Sequence, residues 1–230
     1  MTKGILLIVV TAGLFYCKQG VRSKLDAVNK ETISTVKNVQ NDDKDIYTKY
    51  EYIDAAGKRI IIQNGFPRGG VKYTNPNGKV CGYAVFWTRI INETDNSLEL
   101  KIDPPINSYE ISNFPSKYFR ILVPTDTMTI DKFPLFLYGL KDIKSFLDNN
   151  NHKQPSFKRT INSNESSGFY FLMLVLTEEA TGATRTELNL KGQDLFYKIS
   201  RYSITKPITL IDEIEIKCGS INLKNLRVIK

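Results

Sequence analysis

The feature that most constrains the fold is a succession of short apolar or alternating runs, separated by turn residues, from residue 47 onward. Such runs are typical of β-strands, because successive side chains on a strand point to opposite faces. Leu195, Tyr197 and Ile199, for example, fall on one face, with Lys198 and Ser200 on the other. Residues 169–176 are instead continuously apolar, which predicts a central strand that is covered on both faces.

The predicted strands share short length, apolar or alternating character and flanking turn residues. They are residues 47–53, 59–62, 71–74, 80–91, 98–102, 109–111, 118–123, 133–138, 157–161, 168–177, 184–190, 195–202 and 211–218. The first two are predicted to form a hairpin around residues 55–57. The next two are predicted to form a hairpin around residues 75–78, where the Asn77-Gly78 pair favours a tight turn.

One segment follows a helical period. Leu140, Ile143, Phe146 and Leu147 recur at helical spacing, which predicts a short helix that caps one end or edge of the strands. About a dozen strands without repeated strand-helix alternation favour an all-β fold, specifically an antiparallel β-sandwich with one short helix. An immunoglobulin-like core is one alternative within that class, since a tryptophan follows a cysteine in the strand predicted at 80–91.

Composition and charge exclude several classes of protein. Hydrophobic residues make up 41% and charged residues 24% of the 230 residues, so wholesale disorder and a polytopic membrane protein are both excluded. The net charge is +8, but the basic residues are scattered and form no concentrated stripe. We therefore expect no nucleic-acid partner, and the sequence indicates no cofactor.

The amino terminus has the layout of an export signal. Lys3 precedes an unbroken apolar run at residues 5–10, and small residues at 11–13 follow before Cys17. The uncharged stretch at residues 4–17 is shorter than the roughly 20 residues that a membrane-spanning helix needs. Export is therefore the favoured interpretation of this segment.

Residues 1–17 resemble a bacterial lipoprotein signal. The resemblance implies that Cys17 is acylated and anchors the protein in the bacterial envelope, with the outer membrane as the expected location. Residues 14–16 are bulky where that family has a small residue before the cysteine. Ordinary signal-peptidase cleavage after Ala12 or Gly13, which gives a secreted or periplasmic protein, is therefore the alternative.

The predicted organisation has three parts. A signal peptide covers residues 1–16, and a lipid-anchored flexible tether covers residues 17–46, which are mostly polar. The β-sandwich domain covers residues 47–230. Cys81 and Cys218 lie in predicted strands of that domain, and in an oxidising compartment they either form a disulfide or stay as two buried free thiols.

Catalytic residues are not predicted. The one histidine, His152, lies in a polar loop that offers no packed environment for a general base, and no spacing indicates a metal site. The carboxylates weighed for glycoside hydrolysis or calcium binding are interpreted as solvated charge; they are Asp103, Asp126, Asp131, Glu178, Glu179, Asp212, Glu213 and Glu215.

One weak binding motif is present. Arg68, Gly69 and Gly70 follow a proline and are interpreted as a compact turn, whose amides and guanidinium are candidates for anion binding. The sequence thus predicts a non-catalytic cell-envelope lipoprotein, a binding or structural module for a protein or glycan partner. The alternatives are an exported hydrolase that uses carboxylates and a structural subunit of an envelope assembly.

Overall fold

The computed structural model describes residues 45–54, 56–111, 116–150, 156–177 and 182–222 in full, and residues 34–38 as backbone. In chain order the strands are β1 (Ser34–Asn38), β2 (Ile46–Ile53), β3 (Arg59–Gly65), β4 (Arg68–Thr74), β5 (Val80–Asn92), β6 (Leu98–Ile102), β7 (Tyr109–Glu110), β8 (Tyr118–Leu122), β9 (Thr127–Met128), β10 (Phe157–Ile161), β11 (Ser166–Val175), β12 (Ala183–Lys191), β13 (Asp194–Tyr202) and β14 (Leu210–Asn222). The helix α1 is Ile143–Asn149, and 3-10 turns lie at Ile130–Lys132 and Phe136–Gly139.

The described strands form two antiparallel sheets. The first has nine strands, in the order β1-β2-β3-β5-β11-β8-β7, with β4 beside β5 and β9 beside β11. The second has five strands, in the order β10-β6-β14-β13-β12. The predicted all-β, two-layered fold with one short helix is confirmed.

The two predicted hairpins are confirmed. β2 pairs with β3, and β4 pairs with β5, both antiparallel. In the second hairpin the Asn75 side chain accepts hydrogen bonds from the backbone N–H groups of Asn77 and Lys79 at 3.0 and 2.9 Å. Gly78 adopts a φ of 77°, a left-handed conformation that glycine reaches without steric cost.

The predicted central strand is confirmed as β11. It lies between β5 on one edge and β8 and β9 on the other. Residues 168–175 are all buried. A strand covered on both faces needs apolar side chains at every position, which accounts for the continuous apolar run in the sequence.

Two clusters of buried side chains lie on opposite faces of the first sheet. The inner cluster joins the two sheets and includes Phe171 of β11 and Tyr197 of β13, whose ring centroids are 3.9 Å apart. The outer cluster joins the first sheet to the helical segment and includes Trp87, Tyr170 and Leu147. The helix prediction is confirmed, but α1 packs against this outer face and not at an end or edge of the sandwich.

Three other predictions need correction. Residues 133–138 are not a strand but a segment containing 3-10 structure. Leu137 and Tyr138 have positive φ values there, and Pro134 has no N–H to donate to a sheet. The segment interpreted as a tether contains β1, which pairs with β2, so the domain begins before residue 47. Trp87 lies in the outer cluster and not between the sheets, so it does not take the core position that suggested an immunoglobulin-like fold.

Candidate functional site: an open sheet edge and its groove

The predicted cysteine sites are resolved in favour of free thiols. Cys81 and Cys218 are both free and buried. They belong to the outer and inner clusters, on opposite faces of the first sheet, and the disulfide interpretation is therefore wrong. Burial raises the pKa of both thiols, which favours their protonated form. Cys17, the predicted lipidation site, lies outside the described residues.

The predicted anion-binding turn is part of a strand. Arg68, Gly69 and Gly70 open β4, and the register shift between Gly69 and Val71 marks a β-bulge. The Arg68 guanidinium donates to the Leu135 carbonyl at 2.5 Å and lies 3.3 Å from Asp45 Oδ1. These contacts of the guanidinium attach the start of β4 to the helical segment, and anion binding by the turn stays a prediction.

The candidate carboxylates are largely engaged by basic side chains. Arg201 donates to Asp212 at 2.7 Å, Lys198 lies 2.9 Å from Glu213, and Lys191 pairs with Glu215. Within the described ranges no group of three or more His, Cys, Asp or Glu residues could hold a metal ion. His152, Glu178 and Glu179 lie outside those ranges.

One cleft does hold two carboxylates. Asp103 and Asp194 line a depression of about 580 Å³, and Lys101 and Lys217 lie 2.7 Å from them respectively. The described lining has no aromatic side chain on which a sugar ring could stack. The arrangement is a surface of alternating ion pairs, unlike the aromatic-lined cleft that the hydrolase alternative requires.

The distinctive feature of the molecule is the edge strand β12, whose second half is sealed. The Asn64 side chain of β3 accepts from Leu188 N–H at 2.8 Å and donates to Leu188 C=O at 3.1 Å. The Tyr52 hydroxyl of β2 accepts from Leu190 N–H at 2.7 Å. Tyr50 also donates to Glu187. The Asn64 and Tyr52 side chains thus satisfy backbone groups that a neighbouring strand would otherwise pair with, whereas Tyr50 contacts the Glu187 side chain.

The seal is itself held in place by buried polar contacts. Thr88 Oγ1 donates to Asn64 Oδ1 at 3.0 Å, and Asn64 Nδ2 donates to Thr48 Oγ1 at 3.2 Å. All three residues are about 1% exposed. Asn64 is therefore fixed in the orientation in which its amide matches the Leu188 peptide group.

The first half of β12 opens into a groove. Alternate residues of an antiparallel strand direct their N–H and C=O groups to the same edge, so Thr184 and Thr186 face the same way as Leu188 and Leu190. The Thr184 carbonyl accepts from Arg185 Nη1 at 2.9 Å. The edge at residues 182–185 borders a groove of about 420 Å³.

The groove has an apolar floor and a cationic rim. Its apolar side chains come mainly from the first sheet and the turn before β4, with Ala183 added by β12; they are Pro67, Val71, Ala84, Met173, Val175 and Ala183. Its charged side chains in the described lining are Lys72 and Arg185. The Arg185 guanidinium also lies 5.5 Å from the Phe66 ring centroid, which orients it beside the groove. The volume falls in the range of roughly 300 to 1,000 Å³ that is usual for ligand sites.

Sequence reasoning missed the residues that define this site. The segment at 59–62 was predicted as a strand, but Asn64 lies beyond that boundary and carries no motif. Its partner Leu188 is 124 residues away in the chain. One sequence signal did exist: Gly69 and Gly70 mark a position where the backbone must depart from a regular strand.

Comparison of the chain with protein-family models, curated proteins and solved structures gives no match. Among the described residues, no helix is long and apolar enough to cross a bilayer.

Proposed function

We propose that this chain is a non-catalytic binding module that captures an extended segment of a partner protein in the β4–β12 groove. The observation that carries the proposal is the partly exposed edge of β12 at residues 183–185, which borders a groove with an apolar floor. An extended peptide can join such an edge as an added strand, with backbone hydrogen bonds for affinity and alternate side chains in the groove for specificity.

The lining favours a peptide over a glycan. Its described residues include a single aromatic side chain, Tyr83, whereas flat aromatic platforms are the usual means of holding a sugar ring. Thr184 offers its backbone N–H at this edge, and Met173 and Val175 offer apolar contact below it. The occupant is a strand of another protein. A neighbouring subunit of an envelope assembly is one such protein.

The charge of the lining indicates the composition of that strand. Lys72 and Arg185 are cationic, and the described lining includes no Asp or Glu. Charge complementarity sets partner choice and association rate more than it sets affinity. The preferred occupant therefore alternates apolar side chains, directed to the floor, with acidic side chains near Arg185.

A displayed peptide library with alternating acidic and apolar positions tests the proposal. We expect the full chain to enrich binders and Thr184→Pro to weaken them by at least about tenfold, since proline removes an edge N–H. Because this N–H lies outside the β12–β13 ladder, the substitution removes no ladder hydrogen bond, and urea denaturation of Thr184→Pro checks that the variant is folded.

Charge reversal supplies the matched control. Arg185→Glu should shift enrichment away from acidic peptides, whereas Lys158→Glu, on the opposite edge strand β10, should not. Failure to enrich any peptide, or equal binding of the enriched peptides to Thr184→Pro, would refute the groove as the binding site.

We also propose that the module is exported and tethered to the bacterial envelope through acylated Cys17. The support is the apolar run at residues 5–10 followed by small residues before that cysteine. Metabolic acyl labelling of native cells should mark the protein and leave Cys17→Ala unlabelled. Label that persists in the variant, or a native protein found in the cytosol, contradicts the tether.

A further inference from the structure

The hairpin that joins β13 to β14 carries a fully exposed apolar tip. Every residue from 204 to 210 is exposed. Ile204 is 78%, Ile208 70% and Leu210 52% exposed, which places them among the most exposed large apolar side chains of the described residues. Leaving several aliphatic side chains together in water is unfavourable, and such patches mark interaction sites.

The tip is held in shape by its own hydrogen bonds. Ser203 Oγ accepts from Thr209 N–H at 3.0 Å and donates toward the carbonyl oxygens of Thr205 and Pro207 at 3.1 and 3.2 Å. Ser203 N–H donates to Thr209 C=O at 2.9 Å. These contacts satisfy several backbone groups of the loop internally, so the tip can leave water at less cost than an open loop.

The charge pattern of the tip narrows the choice of partner. Residues 203–209 contain Lys206 and neither Asp nor Glu. Protein-binding hot spots are enriched in Trp, Tyr and Arg, and this loop has none of them. Aliphatic side chains beside a lysine instead match a lipid interface, where the apolar groups enter the acyl boundary and the ammonium group meets anionic headgroups.

We propose that the β13–β14 tip inserts into the surface of a lipid bilayer that contains anionic headgroups. Ile204 and Ile208 enter the boundary of the acyl chains, and Lys206 contacts headgroup phosphates. This contact does not depend on the groove or on Cys17, because neither contributes a residue to the tip. It gives the protein a membrane contact of its own and fixes which end of the domain faces the bilayer.

The single native tryptophan makes a local test possible. Trp87 is 1% exposed and supplies a constant background, so the full chain with Ile208→Trp reports the surroundings of the tip. On adding vesicles of phosphatidylcholine mixed with phosphatidylglycerol, we expect a blue shift of its emission and quenching by brominated acyl chains. The matched control is Phe136→Trp, a side chain that is 77% exposed on another part of the surface, which should show neither effect.

Two further variants measure binding. Ile204→Ser with Ile208→Ser should lower the partition onto these vesicles by about tenfold or more. Lys206→Gln should lower it about fivefold on anionic vesicles and leave binding to pure phosphatidylcholine unchanged. The proposal is overturned by any of three results: no blue shift at position 208, an equal shift at position 136, or unchanged partition of the double variant. A tip that binds a protein instead of lipid gives no blue shift at position 208.

Discussion

The two halves of the outer edge of β12 differ in what covers their backbone groups. At residues 188–190 the edge is sealed by side chains of the first sheet, above all by the Asn64 amide on Leu188. At residues 182–185 the edge borders a groove of about 420 Å³. Exposed sheet edges invite pairing with other chains, so a protein that seals one half of an edge and leaves the other half open restricts pairing to a defined stretch.

The difference arises from the strand of the first sheet that lies next to each half of β12. Opposite the sealed half lies β3, a regular strand that carries Asn64. Next to the groove lies the start of β4, where Gly70 has a φ of 77° and forms a bulge. A Cβ atom on Gly69 would lie 2.5 Å from Ala84 Cα, so β4 packs this closely on β5 only with glycine there. The groove therefore depends on backbone shape, and the seal depends on one side chain.

The largest effect is expected from breaking the seal with Asn64→Ala. The substitution removes both hydrogen bonds to Leu188 and the acceptor of Thr88, and it leaves the Leu188 peptide groups buried without these partners. Each buried unsatisfied group costs about 1 to 3 kcal/mol, so we expect the free energy of unfolding to fall by about 3 to 5 kcal/mol. Urea denaturation at neutral pH measures it.

The neighbouring substitution Gln63→Ala is the control for Asn64→Ala. Gln63 precedes Asn64 in β3 and directs its side chain to the opposite face of the sheet, so its loss should change stability by less than about 1 kcal/mol. A loss below about 1 kcal/mol for Asn64→Ala would mean that water replaces the amide, and that the sealed and open halves of β12 do not differ as described.

Much of the fold could be predicted from the sequence because it follows from local patterns. The continuous apolar run of β11 predicted a covered central strand, and the Asn77-Gly78 pair predicted the β4–β5 hairpin. Alternation in Leu195, Tyr197 and Ile199 identified the buried face of β13. These features depend on residues that are close in the chain, and periodicity reports them directly.

The site could not be predicted, because it depends on which strands become edges and on contacts between distant residues. Tyr52 and Leu190 are 138 residues apart, and nothing in either segment identifies the other. Aromatic and apolar residues at 133–138 indicated a strand, but the segment is irregular with a 3-10 turn, and Phe133, Leu137 and Tyr138 pack on the outer face, where Phe133 stacks on Trp87 at 4.6 Å. Tertiary packing overrides local preference at such positions.

A smaller effect is expected from Tyr52→Phe, which weakens the seal at one bond. Loss of the hydroxyl leaves Leu190 N–H without this acceptor, and the free energy of unfolding should fall by about 1 to 2 kcal/mol at neutral pH. The exposed control Tyr118→Phe should change it by less than about 0.5 kcal/mol.

The Tyr52 contribution should also depend on pH, in the alkaline range. Burial raises the pKa of Tyr52 from 10.0 to about 12 in the folded protein, although the hydrogen bond from Leu190 opposes this shift. A group whose folded pKa is raised contributes stability that is complete below its unfolded pKa and is lost as the pH rises through the folded value. The gap in unfolding free energy between the native chain and Tyr52→Phe should therefore be constant up to about pH 10 and narrow toward pH 12. Urea titrations across that range measure the gap, and a gap that stays constant to pH 12 would show that the hydroxyl is hydrated and the seal ends at Leu188.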